Sequence, residues 1–337
     1  VATSSSTKPV EKTLFDCFGY DEFREGQREV VEAALAGRDV SVFWATGRGK
    51  SLCYQIPALH TGRTAIVVSP LISLMADQVE RLNNSVGRGE RQVAAFLGSA
   101  QLDPTVESRA FAGAFPLVYM SPEKLMAGGT LSRLVELHSR KPLLLFAIDE
   151  AHCVSEWGHD FRREFRMLGQ LRERLPSVPL LALTATAVPE AQQDILRSLG
   201  MRDPLIMRSS SYRSNLTLRL TRKTGGGISA DLSGVLAALK PTVGGGLPST
   251  LVYVPTRGDA EKVSAFLKSR GVHADYYHGS RMPHEREQVH LSFLSGALPV
   301  VVATVAFGMG IDKVRTARSL RRHLCAALSL SAAHLRC

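Results

Sequence analysis

Two stretches of the chain carry residues whose types and spacing could do chemistry. In one, the apolar run Leu143-Leu144-Leu145-Phe146-Ala147-Ile148 ends abruptly in Asp149-Glu150-Ala151-His152. Adjacent carboxylates at the carboxyl end of a buried parallel strand stand where open α/β sheets bind ligands, one suited to a metal and one to a base. A core strand followed by a solvated acidic turn leaves the same pattern. In the other, Val40-Ser41-Val42-Phe43 runs through Trp44 and Ala45 into Thr46-Gly47-Arg48-Gly49-Lys50-Ser51. Glycines let backbone N–H groups close around phosphate oxygens, a lysine reaches the terminal phosphates, and a serine hydroxyl can ligate Mg²⁺. Trp44 stands where the general form G-x-x-x-x-G-K-[ST] has its first glycine, so only T-G-x-G-K-S survives. Either piece could be a chance turn or strand. Together they predict nucleoside triphosphate hydrolysis: the loop binds phosphates while the acids complete the Mg²⁺ shell and orient a water.

Both stretches need a scaffold that delivers strand ends to one place. Apolar residues at helical spacing over 30–35 predict a helix ahead of the first strand. Further strands are expected at 65–68, 117–120, 143–148 and 180–183, with helices from 72 to about 82 and over 189–199. Ser69-Pro70-Leu71, Ser121-Pro122-Glu123 and Thr184-Ala185-Thr186 each follow one of these strands, as the two chemical motifs do. The expectation is a doubly wound domain whose parallel sheet is covered on both faces. From about 208 to 246 the composition shifts to Ser, Thr and Gly, with glycine triplets at 225–227 and 244–246 bracketing a helix expected over 232–239. A second alternation has strands at 216–220, 251–254, 274–277 and 300–303 and helices at 259–269 and 283–294, without a phosphate loop. Two such domains predict a nucleotide clamped in a cleft between them, with hydrolysis coupled to closure.

Composition sets the class. The 337 residues suffice for two domains, and 45% hydrophobic with 21% charged residues is globular usage. No apolar run approaches the ~20 residues of a membrane span, and the first residues lack the order of a signal peptide. A soluble, intracellular protein is expected, with Val1 marking a fragment boundary and the Ser/Thr-rich residues 1–9 disordered. Cys17, Cys53, Cys153, Cys325 and Cys337 show no zinc-ligand spacing and read as reduced thiols. The formal net charge of +10 invites a polyanion, and an inert basic surface is the alternative.

With these residues in place, the chain resembles the RecQ-type superfamily 2 DNA helicases over roughly residues 13–313. Phe23-Arg24-x-x-Gln27 resembles that family's adenine-recognition motif, which implies that Gln27 and Arg24 face the base. Thr46 to Pro57 matches the phosphate loop and its continuation, with Thr46, Gly47 and Gly49 around the phosphates, Lys50 on the β/γ-phosphates and Ser51 on Mg²⁺. Asp149-Glu150-Ala151-His152 matches the D-E-A-H box, implying Asp149 on the Mg²⁺ side and Glu150 as the base. His152 would then contact the γ-phosphate side or Thr184-Ala185-Thr186, against the alternative of a satisfied buried histidine. The stretch 155–165 resembles the family's aromatic-rich loop, where aromatic faces stack single-stranded bases and arginines hold phosphates. Trp157, Phe161, Arg162 and Phe165 are its candidates, and core packing is the alternative for at least one phenylalanine. Ser69-Pro70-Leu71 and Ser121-Pro122-Glu123 resemble motifs that contact the nucleic-acid backbone. In the second domain, Tyr253 to Arg257, Tyr277-His278-Gly279 and Val301 to Lys313 resemble the corresponding motifs. The resemblance places Arg257, His278 and Thr304 on nucleic acid and returns Gly308, Gly310 and Asp312 to the nucleotide.

The implied architecture is two tandem RecA-like (P-loop NTPase) domains with parallel sheets, 10–207 and 208–313, the second incomplete and followed by a divergent basic tail, 314–337. That tail carries Arg315, Arg318, Arg321, Arg322 and Arg336 with no acidic residue, and is expected to form a short amphipathic helix or a poorly ordered end. Nothing in it matches the arginine-bearing motif Q-x-x-G-R-x-G-R, a contact worth ~10³–10⁵ in rate in comparable enzymes. Arg48 departs from the small residue usual at its position and could add a cation to the loop or crowd it. Glu156 replaces a usual glutamine and puts negative charge near the expected DNA path. The implied function is an ATP- and Mg²⁺-dependent 3′–5′ DNA helicase acting on single strands and duplex junctions in recombination and repair. It would be nuclear in a eukaryote and cytoplasmic otherwise. The alternatives are a catalytically defective nucleotide- and DNA-binding module and an RNA helicase of the related D-E-A-D group.

Overall fold

The computed structural model describes residues 9–70, 72–88, 90–98, 101, 103–156, 163–185, 187–210, 216–222, 227–233, 236, 239, 247–307, 318–322 and 326–332. The stretch 1–8 and half of the helix expected over 232–239 lie outside them. The chain divides into two compact units, Val1–Tyr212 and Arg213–Cys337. The boundary expected after 207 falls later because an additional strand, Leu205–Arg208, completes the first sheet.

The first unit is built on seven strands: β1 (Val40–Phe43), β2 (Ala65–Val68), β3 (Ala94–Leu97), β4 (Leu117–Met120), β5 (Phe146–Ile148), β6 (Leu180–Thr184) and β7 (Leu205–Arg208). They lie in the order β3-β4-β2-β5-β6-β1-β7, every neighbouring pair parallel. Strands buried on both faces read as near-continuous apolar runs, and β1, β2, β4, β5 and β6 are buried throughout, with Ser41 and Thr184 the polar residues among them. The twofold alternation of a strand then deals its residues to two cores. Ile66, Val68, Phe146 and Ile148 face one, while Ala65, Val67 and Ala147 face the other. The register sets Phe43 beside Thr184 and Ile148 beside Ala182, so β5, β6 and β1 end side by side. Their carboxyl ends open on one place.

The opposite ends of β1 and β6 are fastened by a buried carboxylate. Asp39 Oδ1 accepts from the Leu180 N–H at 2.8 Å, and Oδ2 accepts from the Arg202 N–H at 2.7 Å and from Arg172 Nη2. Arg172 spends its other donors on the carbonyls of Gly200 and Pro176, each at 3.1 Å. The pair is therefore fully hydrogen-bonded, the condition under which a buried ion pair is tolerated.

The second unit repeats the pattern with β8 (Leu216–Arg222), β9 (Thr250–Tyr253), β10 (Ala274–Tyr277), β11 (Val300–Ala303), β12 (Arg318–Arg322) and β13 (Ala326–Ala332), ordered β10-β11-β9-β12-β13-β8. Helices Arg257–Ser269 and Pro283–Ser295 cover its two faces, Val263 and Leu267 packing with Val252, Val300 and Val302, and Val289 and Phe293 with Leu251 and Val301. The sheet is parallel from β10 through β11 and β9 to β12, as expected, and β13 adds an antiparallel strand between β12 and β8. One expectation is corrected here. The basic tail, expected as a helix or an irregular end, contributes β12 and β13, with β12 parallel to β9. The alternation Leu328-Ser329-Leu330-Ser331 has the period of a strand, and the count of arginines obscured it. Among the described residues no helix is long and apolar enough to cross a membrane.

Replacing Asp39 with alanine strands the Arg172 guanidinium and two backbone donors in the interior. Unfolding by urea or heat should show a loss of about 3–5 kcal/mol, the usual cost of halving a buried pair. A loss under about 1 kcal/mol, the range of exposed pairs, would show that the clamp is not structural.

Candidate nucleotide site

Three loops leave the adjacent carboxyl ends of β1, β5 and β6 and make the site. The loop after β1 turns at Gly47 (φ 85°) and Gly49 (φ 76°), both left-handed, before helix Leu52–Thr61 begins. Gly49 has a second reason to lack a side chain: a Cβ there would lie 2.3 Å from Gln27 Nε2. That amide, only 1% exposed, donates to the Gly49 carbonyl at 3.0 Å and to the Arg48 carbonyl at 3.3 Å, while its Oε1 accepts from the Arg24 N–H at 2.8 Å. Arg24 Nη1 donates to the Gly47 carbonyl at 2.6 Å. The two residues expected to face the base are instead seen on the loop's carbonyls, Gln27 on those of Arg48 and Gly49 and Arg24 on that of Gly47. Arg48 does not crowd the loop, because its guanidinium pairs with Glu25 at 2.9 Å. That pair is exposed and worth little to stability.

Lys50 lies over the turn, donating Nζ to the carbonyls of Trp44 at 3.0 Å and Ala45 at 3.4 Å. Burial lowers its pKa from the ordinary lysine value, and the charges of Glu150 and Asp149 act against that shift. Its ammonium is held by neutral carbonyls that a phosphate oxygen can replace. Ser51 directly precedes the helix, so its hydroxyl sits at the positive end of the helix dipole.

After β5 the chain delivers its acids. The Asp149 N–H still bonds to the Val68 carbonyl at 2.9 Å, as a strand residue does, and Asp149 Oδ1 accepts from the Glu150 N–H at 3.0 Å. Glu150 then takes the left-handed conformation (φ 50°, ψ 44°), at a cost of about 1–3 kcal/mol for a residue with a Cβ. Desolvation first, and the Glu150 charge second, raise the Asp149 pKa above the usual carboxylate range. A carboxylate pair short of positive charge, beside a serine hydroxyl and a phosphate loop, suits Mg²⁺, which takes one or two protein ligands and fills its shell with phosphate and water. Among the described residues no cluster of three acidic, histidine or cysteine side chains could hold a metal by itself.

The turn Ala151–Val154 is buried. Within it His152 Nδ1 lies 3.2 Å from Glu150 Oε2 and 3.0 Å from Thr184 Oγ1 at the end of β6. Of the contacts expected for His152, the one to the Thr184 motif is present.

The nucleic-acid candidates divide. Trp157, Phe161 and Arg162 lie outside the described residues, as do Gly308, Gly310 and Asp312. Phe165 is fully buried in the core of the first unit, which corrects its reading as a base-stacking residue. Ser69 and Pro70 are buried, so their side chains are not offered to solvent. Ser121 caps helix Pro122–Met126, its hydroxyl accepting from the Lys124 N–H at 3.2 Å. In the second unit Arg257 is exposed at the start of its helix, and the Thr304 N–H donates to the Tyr277 carbonyl at 3.2 Å. His278 is buried against Tyr276, with Nε2 3.1 Å from Glu261 Oε1, so its ring braces the strand end.

Sequence reasoning missed a polar cluster beneath the phosphate loop. Tyr54 Oη donates to Gln78 Oε1 at 2.9 Å, Gln55 Nε2 reaches Tyr119 Oη at 3.4 Å, and the two tyrosine rings meet edge to face at 6.3 Å. Burial pushes both phenols above the ordinary tyrosine value, so they stay neutral. The signal was Tyr54-Gln55, two polar residues early in a helix that is otherwise apolar.

Comparison with known proteins agrees with this geometry. Residues 24–195 match the DEAD/DEAH box helicase family, and residues 245–317 match the helicase conserved C-terminal domain. The ATP-dependent DNA helicase RecQ of Pasteurella multocida is 40% identical over 90% of this chain and 47% of its own length. The mouse bifunctional 3′-5′ exonuclease/ATP-dependent helicase WRN is 42% identical over 88% of this chain and 21% of its own. The chain thus spans about half or less of the length of these relatives. The fold resembles the DUF1998 helicase MrfA bound to DNA, with a TM-score of 0.73 at 16% identity over 95% of this chain and 48% of that one. By its family match and the site its strands assemble, the chain belongs to the DEAD/DEAH box helicases, and its sequence is similar to RecQ helicases.

Proposed function

We propose that this chain is the ATP-hydrolysing part of a 3′–5′ DNA helicase of RecQ type, which moves along single-stranded DNA and opens duplex junctions. The observation that carries this reading is the meeting of Lys50, Asp149, Glu150, His152 and Thr184 at the ends of three neighbouring strands. Lys50 exchanges its carbonyl partners for the β/γ-phosphates, and the amides of 47–51 cradle them. Ser51 and Asp149 would hold Mg²⁺, which when bound offsets phosphate charge. Glu150 orients the attacking water and accepts its proton. His152, placed between Glu150 and Thr184, relates the state of the cleaved phosphate to β6. Trp157, Phe161 and Arg162 would meet DNA, with Arg257 and Thr304 serving the second unit.

A second reading is a module that binds nucleotide and DNA without coupled turnover, which steady-state hydrolysis with and without single-stranded DNA separates from the first. An RNA substrate is disfavoured by Asp149-Glu150-Ala151-His152 and by Trp157. Competition between single-stranded RNA and DNA decides that point.

Lys50→Ala should reduce ATP hydrolysis by about 10²–10³-fold, the scale of losing a charge-stabilising group. Glu150→Gln should keep ATP-analogue binding while turnover falls about 10²–10⁴-fold, the scale of a lost general base. Steady-state hydrolysis beside a fluorescent-analogue titration measures both, and normal turnover in either variant would remove the site assignment. In the same assay Trp157→Ala should lower DNA stimulation more than basal hydrolysis. Equal losses would assign Trp157 a structural part.

A further inference from the structure

Helix Pro189–Ser198 carries a carboxylate that the nucleotide site does not use. Asp194 is 7% exposed, and burying an ionised group is unfavourable unless partners replace its water. Its Oδ2 accepts from the Glu156 N–H at 3.3 Å and stands 3.5 Å from Arg166 Nη1. Its Oδ1 accepts from Ser198 Oγ at 3.4 Å, with Arg197 Nη2 at 4.0 Å. The same Arg166 Nη1 lies 3.3 Å from Glu156 Oε1, so the negative charge that Glu156 brings to this segment is met locally. Glu156 and Arg166 flank residues 157–162 in sequence, and one carboxylate holds both flanks.

Helix Pro189–Ser198 is the next helix in the chain after β6, starting five residues beyond Thr184, the strand's last residue, which is bonded to His152. Residues 150–156 are therefore fastened to the β6–helix segment twice: at the nucleotide end through His152 and Thr184, and at the far end through Glu156 and Asp194. Two tethers on a short buried segment remove its freedom to pivot about either one. A displacement of Thr184 then carries the far end with it.

The geometry points to Asp194 as a positioning residue that transmits the state of the nucleotide site to both flanks of the segment holding Trp157, Phe161 and Arg162. This rests on the reading of the site given above. Asp194 touches neither nucleotide nor reacting atoms. It acts through the Glu156 amide and the Arg166 guanidinium, as part of a chain of hydrogen bonds and ion pairs of the kind that can carry coupling between two sites.

Hydrogen exchange on the whole chain, with and without a non-hydrolysable ATP analogue, tests this apart from turnover. In the wild type the analogue should slow exchange by about fivefold or more, the lower range of coupling between sites, both in a peptide at 180–185 and in one at 163–169. Asp194→Asn should keep the response at 180–185 and lose it at 163–169. Arg166→Met, at a half-exposed position, should lose it in the same place without unfolding, and Arg166→Lys, which keeps a cation between the two carboxylates, should retain it. A response at 163–169 that survives in Asp194→Asn and Arg166→Met overturns the inference, as does a wild type that binds the analogue with no response there. Failure of the wild type to bind the analogue at all would overturn the nucleotide-site reading and this inference with it.

Discussion

The parallel pairing of β5, β6 and β1 is the constraint on which the rest depends. Parallel neighbours end at the same edge of a sheet, so three loops far apart in sequence are brought together. The loop after β1 carries the phosphate-binding glycines and Lys50, the loop after β5 the paired acids, and the end of β6 the threonine that answers His152. The sheet is buried on both faces, which is why these strands are almost wholly apolar, with Ser41 in β1 and Thr184 at the end of β6 the polar positions. At the other edge, Asp39 fastens the amino ends of β1 and β6, so the register that aligns the site is fixed from both ends.

Most of that arrangement was legible in the sequence, for a physical reason. Strands buried on two faces read as continuous apolar runs, and the glycines, Lys50, Asp149 and Glu150 interrupt them where strands must stop. What escaped were elements whose burial is partial or whose residues are small. β3 is Ala94-Ala95-Phe96-Leu97, and β7 is a half-buried strand at the sheet's edge. The tail was misread because charge was counted before period, so β12 and β13 were expected as a helix or an irregular end.

Within the site, residue types were easier to read than partners. Nothing in the sequence shows that Gln27 grips the carbonyls of Arg48 and Gly49, or that Arg48 turns away to Glu25, since these meetings depend on how helix Gln27–Leu35 lies against the loop. Phe165 could have gone either way, as a stacking platform or a core residue, and only burial decided for the core. Asp194 was invisible for the same reason: on a polar helix an aspartate reads as solvated, until the Glu156 amide and Arg166 are found on it. The unusual backbone of Glu150 is of this kind too. Its left-handed conformation is maintained by the buried turn that follows, and it brings Glu150 and Thr184 to the same nitrogen of His152.

If the three strand ends form one working ATP site, that site should respond to DNA. Steady-state ATP hydrolysis by this chain, with and without single-stranded DNA, tests it most directly when paired with an ATP-analogue titration. The account predicts analogue binding and turnover that rises several-fold with DNA, within the range of ordinary site-to-site coupling. Analogue and DNA binding with no stimulated turnover would contradict it and leave a module that binds both ligands without joining them.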